Sequence, residues 1–473
     1  MSNKIRLHIF TVNDISYCVN CETYEMLIIP RELIPLSEVY VQHDIIPKLD
    51  KSQLKQFLDF IRVNERIFKM TAMVIPNSTK MPIFSFCPAH QCNFECRYCF
   101  ARKGATVQYN QKAISLHIVD LIFDYMLKKF SGCNKFRLEF VSGGEPLMNF
   151  AAIKHACNLS RNLFESSGKE FIIQLVTNGT MLTWNILEFL QQHPVSIGIS
   201  FEGTEANQNY LRIMKNHENS YETVKLRILE IINSERYHNL AKGIWIISIV
   251  TSYCTSLVEI VESNMALGIH SMELRIARGP ENNDLFINYG NIAHFKTLYL
   301  DLFAYLELNI KQNNLKPLLM ILNNYDFFGK IIKRIICKEH VLYRCGAGVS
   351  KFAFSADGDI YPCDSFVGER EFLMGKVTEP QDILTSTPFV FADINHRNPC
   401  SLCKFRYLCA GDCYYNSFVN NQDIYNSDTA FCSFMQFICD LAFKFVAVLQ
   451  TQDGIDIDQL SKYLKKRDMI NHF

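Results

Sequence analysis

The amino-acid sequence predicts an α/β protein whose core is a partial, TIM-like barrel of six β-α units. From Ile83 to Ile276, apolar runs rich in β-branched and aromatic residues alternate with segments of helical spacing. Strands that alternate with helices form a parallel sheet, and right-handed crossovers curl such a sheet into a barrel or part of one. The length of 473 residues predicts two or three domains, so the barrel has neighbours in the same chain.

A small α+β module is predicted to precede the barrel, over residues 1–80. Two strand-like runs flank an Asn13-Asp14 turn, a third follows, and a stretch of apolar residues at helical spacing comes next. The predicted elements are strands over residues 5–12, 15–20 and Tyr24–Ile29, and a helix over Ser52–Phe68.

The barrel itself is predicted over residues 81–280. Its strands are Ile83–Phe86, Phe136–Val141, Phe171–Thr177, Val195–Phe201, Ile244–Val250 and Met272–Ile276. The helices between them are Ala113–Phe130, Phe150–Ser166, Thr183–Gln191, Tyr221–Asn233 and Leu257–Leu267. Because the chemistry of such barrels lies at the carboxyl ends of the strands, the residues that directly follow these strands are the candidate site.

Three further segments follow the barrel. Residues 281–336 predict a helical bridge, residues 337–440 a cysteine-rich domain, and residues 441–473 a helical tail. The apolar run Phe434–Leu449 is interrupted by polar and charged residues and is shorter than a membrane span, so it predicts a buried helix.

The charge balance and the start of the chain exclude several classes of function. The 48 basic and 48 acidic residues cancel, which leaves no electrostatic footprint for nucleic acid or an anionic membrane. The first ten residues lack the continuous apolar segment of a signal peptide. We therefore expect a cytoplasmic protein, in which eighteen cysteines indicate metal binding or catalysis rather than disulfides.

The first group of cysteines follows the first barrel strand. Cys92, Cys96 and Cys99 are spaced C-x3-C-x2-C, with aromatic residues at Tyr98 and Phe100. Thiolates at this spacing can hold one metal centre from a single loop, and three ligands leave a coordination position open for chemistry. Three unconnected buried cysteines, or a zinc loop completed from elsewhere, are the alternatives.

This motif resembles the cluster loop of the radical S-adenosylmethionine (SAM) enzymes. The resemblance implies that the three thiolates hold a [4Fe–4S] cluster whose fourth iron is chelated by SAM. Gly143-Gly144-Glu145-Pro146 resembles the family's GGEP motif, which binds the SAM amino group. Two glycines let backbone carbonyls approach an ammonium, and a carboxylate can add a charge-assisted bond.

The resemblance also implies further SAM contacts at strand ends. Ser200 and Arg212 resemble the positions that hold the SAM carboxylate, and Tyr98 and Phe100 those that flank the adenine or shield the cluster. Asn178, after the third strand, is grouped with them. The sequence departs from the usual pattern at Glu202, where relatives have Asp. For Arg212, a surface ion pair is the alternative.

The second group of cysteines resembles the seven-cysteine SPASM domain, which extends many peptide-modifying radical SAM enzymes and carries two auxiliary [4Fe–4S] clusters. By this resemblance one cluster takes Cys400, Cys403, Cys409 and Cys432, and the other takes Cys345, Cys363 and Cys413 with Cys337 as a looser fourth ligand. An open iron that binds substrate is the alternative to Cys337. Taken alone, the paired cysteines are also compatible with zinc ribbons.

Asp364 directly follows Cys363. In the anaerobic sulfatase-maturating enzymes an Asp at the matching position is proposed as the base that deprotonates the substrate. A carboxylate kept from water can have a raised pKa suited to that role, whereas an Asp in a turn can also simply accept backbone N–H bonds. The following run, Ser365–Val377, looks more like maturases of ribosomal peptides.

Together these features predict a radical SAM/SPASM peptide maturase that crosslinks or oxidises a ribosomally made peptide. The N-terminal module resembles leader-peptide recognition elements, which can bind an extended peptide at a sheet edge; an extension that merely packs on the core is the alternative. The implied partners are a precursor peptide or protein and a one-electron donor such as flavodoxin or ferredoxin. The alternative functions are an anaerobic sulfatase-maturating enzyme and a non-enzymatic, zinc-stabilised binding protein.

Overall fold

The computed structural model describes residues 6–34, 51–64, 81–99, 101, 109, 111–141, 143–279, 283–323, 325–379 and 387–470. The N-terminal part contains an antiparallel sheet of β1 (Leu7–Val12), β2 (Ile15–Asn20) and β3 (Met26–Ile28), followed by helix α1 (Lys51–Val63). The turn between β1 and β2 is formed by Asn13 and Asp14, both with positive φ. The predicted strands are confirmed, while the end of the predicted helix, residues 65–68, lies outside the described residues.

The core sheet contains six parallel strands in their order along the chain, as predicted. They are β4 (Ile83–Phe86), β5 (Lys135–Phe140), β6 (Glu170–Thr177), β7 (Val195–Ser200), β8 (Ile244–Val250) and β9 (Met272–Ile276). The helices around them are α2 (Leu116–Lys129), α3 (Phe150–Ser167), α4 (Trp184–Leu190), α5 (Glu205–Leu211), α6 (Ser220–Ile232), α7 (His238–Lys242) and α8 (Leu257–Ala266). Each predicted barrel strand and helix is present, with ends that agree or differ by at most three residues.

The cysteine-rich segment extends the same sheet rather than forming a separate one. Strand β10 (Lys351–Phe354) pairs in parallel with β4, so that Phe352 lies beside Phe84. Strands β11 (Asp359–Tyr361) and β12 (Gly375–Lys376) continue the sheet in antiparallel pairings. The described residues thus form a nine-stranded sheet in the order β12-β11-β10-β4-β5-β6-β7-β8-β9. The sequence did not predict the pairing of this segment with the barrel.

The helices that follow β9 in the chain range from four to 23 residues in length. They are α9 (Ile292–Lys311), α10 (Lys316–Ile321), α11 (Phe327–Cys337), α12 (Arg406–Cys409), α13 (Tyr414–Asn421), α14 (Thr429–Thr451) and α15 (Ile457–Ile470). Helix α14 packs against α9, α11 and β1. Within the described residues it is the one helix long and apolar enough to cross a membrane, and 67% of its most apolar window is buried in the molecule. It is longer than the run Phe434–Leu449 that predicted it, and it is a core helix here.

Candidate active site

The first cysteine group lies in the loop after β4, and a neighbouring segment holds this loop through its backbone. Glu95 N–H donates to Ile213 O at 2.7 Å, and Arg97 N–H donates to Leu211 O at 2.9 Å. The two acceptors lie at the end of α5 and just after it, and α5 itself follows β7. The conformation of the cysteine loop therefore depends on the segment that follows β7. The cysteine loop and this segment both lie at the carboxyl edge of the sheet.

The three thiols of this loop share one environment. Cys92, Cys96 and Cys99 are all partly buried. Burial raises the pKa of Cys92 to about 11 and that of Cys96 to about 12; Cys99 adds to both shifts, and Cys92 adds to that of Cys96. Three soft thiol donors in one loop, with no fourth cysteine there, fit a cluster that has one iron open to another ligand.

The glycine pair after β5 lies directly against the residues that precede Cys92. Gly144 N–H donates to Ala89 O, and Glu145 N–H donates to Gln91 O, both at 2.8 Å. A Cβ at Gly144 would lie 1.9 Å from Gln91 O, and Gly143 has φ +78°. Only glycine at position 144 allows the two backbones to approach this closely, so the second motif is fixed beside the first.

Glu145 joins the ends of two strands. Its buried carboxylate accepts from Thr177 Oγ1 at 2.7 Å, from Asn178 N at 2.8 Å and from Leu147 N at 3.1 Å. Burial raises the pKa of this carboxyl group, and the hydrogen bonds oppose the rise. Pro146 is buried and begins a short 3-10 turn. Glu145 therefore holds the glycine motif against the end of β6.

Asn178 continues this connection to the cysteine loop. Its Nδ2 donates to Asn93 Oδ1 at 2.7 Å, and Asn93 Nδ2 donates to Thr180 Oγ1 at 2.9 Å. Asn93 follows Cys92 in sequence, but we did not predict a role for it. No local pattern distinguishes an asparagine that pairs with a residue 85 positions away.

Arg212 is buried in a polar cluster that also includes Glu202 and Tyr98 of the cysteine loop. Its Nε lies 2.6 Å from Glu202 Oε1, and the same oxygen accepts from Tyr98 OH at 2.7 Å. Glu202 Oε2 accepts from Ile249 N at 2.6 Å. Only 6% of Arg212 is exposed, so the alternative of a surface ion pair is wrong. Glu202 holds the guanidinium in place.

Two predicted SAM contacts, Ser200 and Phe100, remain to be located. Ser200 is buried and ends β7, two residues before Glu202. Phe100 lies outside the described residues.

One subset of the tail cysteines surrounds a single cavity. Its walls include Cys400, Cys403, Cys409 and Cys432, the four that were grouped by resemblance. Cys439, which was not grouped with these four by resemblance, also lines the cavity. Because Cys432 and Cys439 are seven residues apart on α14, they share a helix face, and this spacing is the signal that could have identified it.

The other subset is only partly brought together. Burial raises the pKa of Cys363, and the nearby Cys413 and Cys345 add to the rise; burial and Cys345 likewise raise the pKa of Cys413. Cys337 lies elsewhere, at the buried end of α11, where its thiol donates to Ser461 O at 3.9 Å. Lys333 and Glu339 are among its charged neighbours.

Asp364 follows β11 and forms an ion pair. Lys351 Nζ, on β10, lies 2.8 Å from Asp364 Oδ1 and 2.9 Å from Glu139 Oε2 on β5. Burial lowers the pKa of Lys351, but the two carboxylates outweigh this effect and raise it. Asp364 thus faces an ammonium that the sequence did not identify.

The described residues contain no group of three or more His, Cys, Asp or Glu side chains arranged to hold a metal ion.

This combination of a parallel α/β sheet, a three-cysteine loop and a glycine motif at the carboxyl edge defines the radical SAM class. Residues 86–248 match the model of the radical SAM superfamily. Residues 86–248 thus form a radical SAM domain, the chain is a radical SAM enzyme, and the predicted fold class is confirmed. A radical SAM domain implies SAM and a [4Fe–4S] cluster as cofactors.

Relatives with this core include enzymes that modify proteins. The chain is 27% identical over 209 residues to uncharacterized protein MJ0907 of Methanocaldococcus jannaschii. This alignment covers 44% of this chain and 67% of that protein. It is 22% identical over 348 residues to a serine-type anaerobic sulfatase-maturating enzyme of Klebsiella pneumoniae, over 70% of this chain and 81% of that one. A cysteine-type anaerobic sulfatase-maturating enzyme of Clostridium novyi is 20% identical over 367 residues, 73% of this chain and 91% of its own.

The fold is shared with a solved structure. Native anSMEcpe with bound AdoMet superimposes with a TM-score of 0.62 at 18% identity, over 79% of this chain and 100% of the other.

Proposed function

We propose that this chain is a maturase that removes a hydrogen atom from an unactivated C–H bond of a ribosomally made precursor peptide. The product is a thioether, C–C or C–O crosslink, or an oxidised side chain. The observation that carries the proposal is the N-terminal three-stranded sheet, which offers an edge strand to a peptide in the same molecule as a radical SAM core.

Strand β3 has the features of a peptide-binding edge. Among the described residues it pairs with β2 alone, and Ile28 on it is 60% exposed. An extended peptide can add to such an edge through main-chain hydrogen bonds, while pockets beside the edge select its side chains. We assign leader-peptide binding to this edge, within a module of residues 1–80 that precedes the radical SAM core of residues 81–280.

The core residues are arranged to hold the cofactors. Cys92, Cys96 and Cys99 would hold the [4Fe–4S] cluster, and the bound cluster and SAM supply a 5′-deoxyadenosyl radical. Arg212, fixed by Glu202, is suited to the SAM carboxylate because a guanidinium binds a carboxylate through two parallel bonds. The other proposed SAM contacts are Tyr98, Phe100, Gly143, Gly144, Glu145, Pro146, Asn178 and Ser200.

The tail would hold two auxiliary clusters, which supply a one-electron acceptor for the substrate. The cavity lined by Cys400, Cys403, Cys409 and Cys432 supports the first. For the second, Cys345, Cys363 and Cys413 supply three ligands. The position of Cys337 beside Ser461 favours a fourth iron left open over ligation by Cys337.

Asp364 is the proposed acceptor of the substrate proton. The Lys351 ammonium, 2.8 Å from Oδ1, can hold the Asp364 carboxylate in one orientation. Removal of one hydrogen atom, one electron and one proton oxidises the substrate by two hydrogens in total, as crosslinking requires.

Formylglycine formation in a sulfatase is the second candidate. The alignments with the named sulfatase-maturating relatives cover 70% or more of this chain, and Asp364 directly follows Cys363, which is the arrangement that the resemblance to those enzymes implies. The N-terminal edge strand and the run Ser365–Val377 favour the crosslinking maturase instead. In either case we place the enzyme in the cytoplasm with flavodoxin or ferredoxin as electron donor.

Mass spectrometry of reacted peptides tests this proposal. The reconstituted enzyme is incubated anaerobically with SAM, dithionite and either a precursor peptide rich in Cys and aromatic residues or a sulfatase-derived peptide. Loss of two hydrogens from the precursor, with no aldehyde detectable by hydrazide labelling, is the expected result. Aldehyde formation in the sulfatase peptide alone would establish the second candidate.

A further inference from the structure

The residues just before and within β1 lie against the tail segment that carries the second cysteine group. Both terminal nitrogens of the Arg6 guanidinium donate to this segment: Nη1 to Cys403 O, and Nη2 to Ser401 O at 3.0 Å. The two acceptors lie within the turn Cys400–Cys403, so a side chain nearly four hundred residues away fixes the backbone of a C-x2-C loop.

Two more polar contacts join the same surfaces. His8 on β1 lies 2.8 Å from Asp440 Oδ1 through Nε2, and 2.8 Å from Lys404 Nζ through Nδ1. Glu22, after β2, pairs with Arg406 at 3.4 Å. His8, Glu22 and Arg406 are largely buried, so these contacts belong to a packed interface rather than a solvated surface.

This cysteine segment also contributes to the cavity lined by Cys400, Cys403, Cys409 and Cys432. Arg6 therefore places a positive charge, and two strongly oriented N–H groups, one peptide unit from a proposed cluster ligand. Iron–sulfur potentials depend on nearby charge, on hydrogen bonding and on burial. A cation at this position favours the more negative, reduced state of a cluster in the cavity.

We propose that Arg6 is a positioning residue for the auxiliary cluster at Cys400, Cys403, Cys409 and Cys432, and that it raises the reduction potential of that cluster. The inference rests on the proposed function, which assigns a cluster to this cavity. It gives the N-terminal module a second role: the module that presents β3 to a peptide also holds the backbone of a loop that lines an electron-accepting site.

A redox titration monitored by electron paramagnetic resonance tests the inference. The full-length chain, with Cys92, Cys96 and Cys99 changed to Ala so that only tail clusters contribute, is reconstituted and compared with the same chain carrying Arg6→Gln or Arg6→Lys. Arg31→Gln is the matched control, because Arg31 belongs to the same module but its side chain is 69% exposed.

The expected result is a lower reduction potential for one tail cluster in Arg6→Gln, recovery of most of the shift in Arg6→Lys, and no shift in Arg31→Gln. Iron lost from the tail in Arg6→Gln and regained in Arg6→Lys would also support a positioning role. Equal potentials and equal iron contents in all variants would overturn the inference while leaving the proposed function intact. Absence of iron from the tail of the parent chain would overturn both.

Discussion

The ammonium of Lys351 lies 2.8 Å from the carboxylate of Asp364, and this pair connects the cysteine-rich segment with the barrel. Lys351 belongs to β10, which pairs with the first barrel strand, and its Nζ also contacts Glu139 on the second. Asp364, which follows the proposed cluster ligand Cys363, is therefore bound by a lysine whose strand is part of the barrel sheet. The sequence identified Asp364, but its partner became visible only through the pairing of β10 with β4.

Replacing Lys351 by Met is expected to reduce product formation by about 10-fold or more, because Asp364 would lose the charge that holds it ionised and oriented. Formation of 5′-deoxyadenosine should continue, since Lys351 does not contact the SAM site. The measurement is the ratio of modified peptide to 5′-deoxyadenosine. Lys112→Met, which removes an exposed ion pair with Asp357, should leave the ratio unchanged. An unchanged ratio in Lys351→Met would remove Lys351 from the mechanism.

Arg212→Lys is expected to weaken SAM binding by about 10- to 100-fold, because a lysine keeps the charge but cannot bond to Glu202 and to a carboxylate in the same fork geometry. Calorimetric titration of the reconstituted protein with SAM provides the measurement. Arg236→Lys, in an exposed pair with Glu188, is the control that should bind normally. Wild-type affinity in Arg212→Lys would mean that Arg212 only stabilises the fold.

Gly144→Ala is expected to lower the free energy of unfolding by about 3 kcal/mol or more, since the new Cβ would overlap Gln91 O and push apart the glycine motif and the cysteine loop. The comparison is Gly132→Ala, where the Cβ meets no atom within 4 Å. Thermal unfolding of both variants gives the difference. Similar melting temperatures would show that the two backbones do not need their close approach.

Asp326 predicts a pH dependence of stability. It caps α11, accepting from Gly329 N at 2.6 Å and from Leu274 N at 2.8 Å, and burial raises its pKa to about 7. The folded state therefore binds this proton more tightly than the unfolded state does. Protonation of Asp326 adds to the free energy of unfolding; the full contribution is present below the unfolded pKa and is lost as pH rises to about 7.

The variant Asp326→Asn lacks this titration. The difference in melting temperature between the wild type and Asp326→Asn should therefore fall as pH rises from about 4 to about 7, and level off above that range. A difference that stays constant with pH would show that Asp326 titrates near its ordinary pKa in the folded protein.

Local sequence patterns were sufficient to predict the barrel strands and to recognise the cysteine and glycine motifs. Alternation of apolar runs marked each barrel strand, because a strand buried on both faces reads as a continuous apolar segment. Cysteine and glycine motifs were recognisable because their chemistry depends on short spacing. Glu145, by contrast, looked like a SAM contact, whereas its carboxylate also holds Thr177 and Asn178.

Contacts between distant segments could not be predicted in this way. Nothing in the local sequence links Arg6 to Cys403, Asn93 to Asn178, or Lys351 to Asp364, because each pair is created by the fold. The contact between the Cys337 thiol and Ser461 O likewise joins distant segments, and ligation of a cluster by Cys337 stays a prediction.

The most direct test of the central claim combines iron and sulfide analysis with a SAM cleavage assay. The wild type and a variant with Cys92, Cys96 and Cys99 changed to Ala are reconstituted anaerobically and supplied with dithionite and SAM. We expect about twelve irons per wild-type chain and about eight in the variant, which should form no 5′-deoxyadenosine. Equal iron contents in the two proteins, or 5′-deoxyadenosine formed by the variant, would contradict the assignment of these cysteines to the SAM-binding cluster.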